Sequence, residues 1–191
     1  MRAPTLAAAA LCWALASWAT AAKTRELSGV RMPETVTVAG RQLRLNGMGL
    51  SKKKVLFVAV KVDVVGLYLE SPTHDPQVAI ASDEPKRISI VMVRDVNRDA
   101  FVKAVEAGME RNTGAAMPAL RQRLDRLERA LPNLRKGDVL DFTYLPGVGT
   151  LARSPLQEMA IPGKDFADAL FSVWLGPRAT DPGLKQGLLG L

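Results

Sequence analysis

Along this chain the spacing of apolar positions switches between two periods, and the switch marks the elements. Around Ala39-Gly40, Val36 to Val38 and Arg41 to Leu45 alternate apolar with polar, which predicts a hairpin. Asn46-Gly47-Met48-Gly49 predicts a tight turn. Val55 to Glu70 (VLFVAVKVDVVGLYLE) is β-branched and nearly uncharged, and predicts one or two central strands with Gly66 at a bend or bulge. Lys61 and Asp63 stand two apart in it, so regular alternation places them on one face. A loop carrying Pro72, Pro76 and Pro85 follows, then a strand over Arg87 to Val93.

The period then lengthens. Asn97 or Asp99 can cap a helix running to about Arg111, with Phe101, Val105, Gly108 and Met109 on one face. A second helix spans about Pro118 to Leu131, with Leu120, Leu124, Leu127 and Leu131 as its stripe. Its arginines read as a solvated face, with Arg121 and Asp125, and Asp125 and Arg129, at i,i+4 spacing. Alternation returns over Val139 to Tyr144. A turn at Leu145 to Gly149 and a short strand at Glu158 to Ile161 follow. Asp165 to Leu175 is an apolar helix stopped by Gly176, and a last short helix covers about Pro182 to Leu189. Hairpins and long connections outnumber strict βαβ alternation. The expected class is α+β, with helices packed on one face of a mainly antiparallel sheet.

Ahead of these elements the pattern is different. Arg2 precedes an uncharged apolar stretch from Leu6 to Ala16, and Ala19 and Ala21 match a small-x-small cleavage pattern. The stretch is shorter than the ~20 apolar residues of a membrane-spanning helix. Residues 1–21 are therefore expected to be a cleavable signal peptide, and residues 22–191 one domain in the periplasm or another extracytoplasmic compartment. No second apolar run of spanning length follows, so no permanent membrane span is expected after cleavage. A monomer is expected.

Composition narrows the chemistry. Cys12, inside the signal segment, is the one cysteine, so the mature domain has no thiol nucleophile and no cysteine metal site. His74 is the one histidine and sits in a Pro-rich loop, which argues against histidine zinc sites and a Ser-His-Asp triad. The net charge of +7 suits an acidic ligand or an anionic surface. Nucleic acid is not expected, because the domain is read as exported and lacks interleaved aromatics. There is no P-loop, no GxGxxG after a strand, no GxSxG and no HExxH, and no cofactor or metal is expected.

One constellation remains. The Gly-x-Gly at Gly47 to Gly49 feeds Lys52-Lys53-Lys54 and then the apolar strand that ends Gly66-Leu67-Tyr68-Leu69-Glu70. Further pieces are Arg94-Asp95-Val96 leading to a helix ending at Asn112, Tyr144 to Thr150, and Ile161 through Gly176, closing on Leu188-Leu189-Gly190. In order and spacing these segments resemble the chalcone-isomerase-like family, most nearly its exported bacterial branch, over roughly Val30 to Gly190.

The resemblance implies an open-faced β-sandwich, a large antiparallel sheet covered on one side by helices, with a ligand cleft between them. Plant members close a chalcone to a flavanone by intramolecular oxa-Michael addition without a cofactor, and non-catalytic members bind fatty acids in the same cleft. Carried onto this chain, the position of the plant arginine that pairs with the attacking phenolate falls on Ser51, with Lys52 next. The position of their threonine falls on Asp63, which would repel an oxyanion. Their tyrosine corresponds to Phe101, and their asparagine to Gly108, with Asn112 one turn away.

Two readings stay open. In one, the domain is a non-catalytic binder of a fatty acid or similar amphiphilic anion. Lys52, Lys53 or Lys61 would then meet the carboxylate, and Phe57, Tyr68 and Phe101 would line the apolar part. In the other, it is an isomerase or intramolecular lyase on an unknown substrate.

Overall fold

A computed structural model describes residues 23–55 and 58–191. Phe57 and the expected signal peptide, residues 1–21, lie outside the described residues.

Seven strands form one antiparallel sheet in the order of the sequence: β3 (Thr35–Val38), β4 (Arg41–Val55), β5 (Val58–Leu69), β6 (Lys86–Met92), β7 (Val139–Leu145), β8 (Gly149–Arg153) and β9 (Glu158–Ile161). A separate hairpin of β1 (Thr24–Leu27) and β2 (Val30–Pro33) precedes them. The helices are α1 (Pro76–Ala81), α2 (Arg98–Thr113), α3 (Met117–Ala130), α4 (Lys164–Leu175) and α5 (Pro182–Leu189). The architecture is α+β, a large antiparallel sheet with helices over one face.

Alternation along the strands sorts two cores. On the helix side, Val65 and Leu67 of β5, Ile88, Ile90 and Met92 of β6, and Leu140 and Phe142 of β7 pack under α2, α3 and α4. On the other face Val38, Leu43, Leu45, Val64 and Tyr68 form a smaller cluster with Met32 of the β1–β2 hairpin. Tyr68 donates to the carbonyl of Pro33 at 3.0 Å, and Arg25 to that of Leu45 at 3.0 Å, so the hairpin is tied to the sheet by polar contacts as well.

The helices follow their caps and stripes. Asn97 caps α2, accepting from the Asp99 amide at 2.9 Å. Gly108 lets α2 approach α4 closely, since a Cβ there would lie 2.7 Å from a Val173 methyl. Leu120, Leu124 and Leu127 are the buried stripe of α3, and Arg121 pairs with Asp125 at 2.6 Å and with Glu106 of α2. Along α4 every residue from Ala169 to Leu175 is buried, as expected of a helix that is apolar on nearly all sides.

Four local expectations change. Asn46 to Gly49 is not a turn: these residues run inside the 15-residue β4. Glycine is needed there because α5 lies directly on the strand, and a Cβ at Gly47 would meet the carbonyls of Gly187 and Leu188. Asn46 is instead a bulge, where pairing steps from Leu45–Tyr68 to Gly47–Leu67. Its side chain donates to the carbonyls of Thr73 and Leu188 at 3.0 and 2.9 Å. Gly66 is regularly paired with Met48 and Ser89, and its lack of a Cβ makes room for the Met32 sulfur. The Pro-rich loop contains α1, started by Pro76 and capped by Asp75. The segment after Gly149 is the strand β8, and the β1–β2 hairpin is a further pair.

Candidate functional site

The second irregularity in β4–β5 shapes the site. Ser51 pairs with Asp63 and Lys52 with Lys61, which leaves Val62 as an extra residue in β5. A bulge reverses the facing of whatever lies beyond it. Val62 therefore packs against the helix-side core, and Lys61 faces the other way, its Nζ 3.4 Å from the Ser28 hydroxyl in the β1–β2 turn. Lys61 and Asp63 do not share a face.

Beside this bulge, a cleft opens between the sheet and α2. One cavity of about 460 Å³ is lined by Ser51, Lys52, Lys53, Val62, Phe101 and Ala104, with Arg94, Asp95 and Asn97 from the β6–α2 connection. A second, of about 250 Å³, shares Ser51, Lys52, Phe101, Ala104 and Thr180 with it. It continues past Val105, Val173, Trp174 and Leu184 to Asp181. The larger lies within the roughly 300–1,000 Å³ of small-molecule sites, and its walls are mainly apolar with a few polar groups.

Lys52 and Lys53 are exposed at the rim, as is Arg94. Within, Asp63 is 7 % exposed. Burial pushes its carboxyl up to about 7; hydrogen bonding with Ser51 opposes the rise, and the charge of Asp181 adds to it. Asp63 thus sits one layer behind Ser51.

The sequence-derived candidates divide as follows. Ser51, Lys52 and Phe101 meet on the cleft, together with Lys53, and Asp63 stands behind them. Tyr68 is on the opposite face of the sheet, because even-numbered positions of β5 beyond the bulge point away from the helices. Burial there pushes its phenol up to about 12. Lys61 is turned away by the bulge. Asn112 lines a separate groove between α2, α3 and α4, where it donates to the Gly108 carbonyl at 2.8 Å and accepts from the Arg178 amide at 3.0 Å. It ties the end of α2 to the α4–α5 link. Gly108 packs on Val173 and offers no polar group.

Sequence reasoning missed Arg94, Thr180, Asp181 and Trp174 as cleft residues. Arg94-Asp95-Val96 was legible as a motif, whereas Thr180 and Asp181 reach the cleft through the path of the α4–α5 link, which has no periodic signature. Asp181 also caps α5, accepting from the Leu184 amide at 3.0 Å. Among the described residues no group of three or more His, Cys, Asp or Glu side chains could hold a metal ion. No helix among them is long and apolar enough to cross a membrane.

The arrangement offers an apolar slot with cations at its mouth and a hydroxyl–carboxyl pair at its wall. No curated protein matches the chain in sequence. Among solved structures, the fatty-acid binding protein of Arabidopsis thaliana has a similar fold, with a TM-score of 0.71 over 87 % of this chain and 96 % of that one, at 17 % identity. A family model described as chalcone isomerase-like matches residues 24–190, nearly all of the described chain, and the protein belongs to the chalcone isomerase-like family.

Proposed function

We propose that this domain is a non-catalytic binder of a fatty acid or a similar amphiphilic anion. The observation that carries the reading is the cleft itself: mainly apolar walls from Val62, Phe101, Val105 and Trp174, with Lys52, Lys53 and Arg94 at the rim. A hydrocarbon chain gains about 25 cal/mol for each Å² of apolar surface it buries, and the cations attract an acidic head. The likeness to a fatty-acid binding protein supports the same reading. The signal-like pattern of residues 1–21 supports an exported, periplasmic or otherwise extracytoplasmic protein. We take it to act as a monomer and without a cofactor.

Native mass spectrometry of the protein purified from its own compartment, followed by titration of the delipidated protein with a fluorescent fatty acid, tests this. Co-purifying acyl chains and saturable binding are expected. An empty protein that also fails to bind the probe sinks the reading.

A cofactor-free isomerase is the second reading, and buried Asp63 favours it, because a carboxyl held near 7 can exchange protons at neutral pH. Against it, the position implied for an arginine carries Ser51, and that implied for a tyrosine carries Phe101. Chalcone cyclisation with the purified protein is expected to run no faster than the spontaneous reaction.

A further inference from the structure

Ser51 stands between the open cleft and the Asp63 carboxyl. It lines both cavities, while Asp63, its register partner across β4–β5, is buried behind it. A hydroxyl has a single proton to donate. When Asp63 is ionised, it takes that proton as a hydrogen bond, and Ser51 turns only lone pairs toward the cleft. When Asp63 is protonated, it donates to the Ser51 oxygen, and the serine proton is free for a ligand oxygen.

The surrounding charges leave this pair poised. Asp181, from the α4–α5 link, is a like charge that opposes ionisation of Asp63. Lys52 and Lys53 of β4, and Arg94 and Asp95 after β6, lie along the cleft, and Asp95 also accepts from the Lys136 amide at 2.8 Å. Lys61 is on the opposite face, and Lys185 of α5 is turned to the Gly176 carbonyl at 3.0 Å. On the cleft, α2 and α4 present the apolar Ala100, Phe101, Ala104, Val173 and Trp174.

We infer that Asp63 is the specificity-determining residue of the cleft, setting through Ser51 whether the wall donates a hydrogen bond to an anionic head or accepts one from a neutral hydroxyl head. The inference rests on the ligand-binding reading above. Its consequence is that an anionic amphiphile enters together with a proton, which Asp63 takes from solvent, whereas a long-chain alcohol needs none. A carboxyl held near 7 places this choice in the neutral range.

The test uses two probes whose heads do not titrate, decyl sulfonate and decanol, on the detergent-free protein at pH 5.5 and 8.5. Sulfonate affinity is expected to weaken by about tenfold or more at the higher pH, while decanol affinity changes by less than about twofold. Asp63→Asn, which can donate to Ser51 at any pH, is expected to bind sulfonate tightly and equally at both values. Calorimetry of the unmutated protein in buffers of different ionisation enthalpy is expected to register net proton uptake with sulfonate at pH 7.5 and none with decanol, a readout independent of how the variant folds. Equal sulfonate affinity at both pH values with no proton uptake overturns the inference and leaves the ligand-binding reading standing. Persistence of the full pH dependence in Asp63→Asn overturns it as well. Binding of neither probe at either pH overturns both.

Discussion

Two ionisable side chains are buried on the same face of the sheet, and they could hardly be kept differently. Lys86, at the start of β6, is fully buried. Its ammonium donates to the carbonyls of Ala79 at 3.1 Å and Ser82 at 2.9 Å, and to that of Ile80, closing the end of α1. Asp168 lies 3.8 Å away, and the rings of Tyr144 and Phe171 flank it at 5.3 and 5.5 Å. Asp63 has the Ser51 hydroxyl and a like charge. Lys86 is a charge surrounded by acceptors and serves the fold. Asp63 is a carboxyl raised chiefly by burial, placed behind a serine that lines an open cavity. A buried ionisable group whose proton affinity is perturbed next to a cleft points to a site, whereas one enclosed by backbone acceptors points to the fold.

The sharpest way to break the comparison is Lys86→Met. It removes the donor from three carbonyls at the end of α1, and the expected loss of stability is about 3 kcal/mol by denaturant unfolding. A loss below about 1 kcal/mol would mean that solvent reaches those carbonyls and that Lys86 is not the structural member of the pair. Asp63→Asn tests the other member, with the opposite sign expected. Its carboxyl is raised in the fold, so the folded protein holds the proton more tightly than the unfolded chain. Stability from this group is present at low pH and is lost as pH rises from about 4 through about 7. The asparagine variant is therefore expected to be more stable than the parent at pH 8, by about 1–3 kcal/mol, and not at pH 4.

Lys86 sharpens the contrast at alkaline pH. Burial and the nearby Lys164 lower its ammonium to about 8, with Asp168 opposing. The unfolded chain then holds this proton more tightly, so the contribution of Lys86 to stability rises with pH between about 8 and 10.5. Thermal melts of the parent and of Lys86→Met across that range should diverge in slope. The smallest effect is the control on the far face. Tyr68→Phe removes the bond to Pro33 and is expected to cost about 1 kcal/mol of stability, with ligand affinity unchanged. A change in affinity would mean that the outer face communicates with the cleft.

What the sequence made legible follows from period. The leucine stripe of α3, the Asn97 cap, the Gly176 stop and the β3–β4 hairpin all leave residue patterns, and the structure has each of them. Bulges leave none. One unpaired residue at Val62 moves Lys61 across the sheet, and one at Asn46 turns an apparent Gly-x-Gly turn into a strand under a helix. Ser51 and Phe101 were placed by family resemblance, and the structure brings them onto one cavity. Asn112 shares the face of Phe101 but lies at the far end of α2, where it lines a separate groove against α3 and α4.

The contact between Asn46 and Leu188 joins positions 142 residues apart. Loop closure over such a span must precede any reward from the contact, so this pairing is expected to form late in folding. Leu184 and Asp181, which bound the inner cavity, belong to the same late-docking segment. Sheet and core can therefore assemble around a cleft that still lacks one wall. The inner side of the cleft is expected to be completed only when α5 docks, after the sheet has formed.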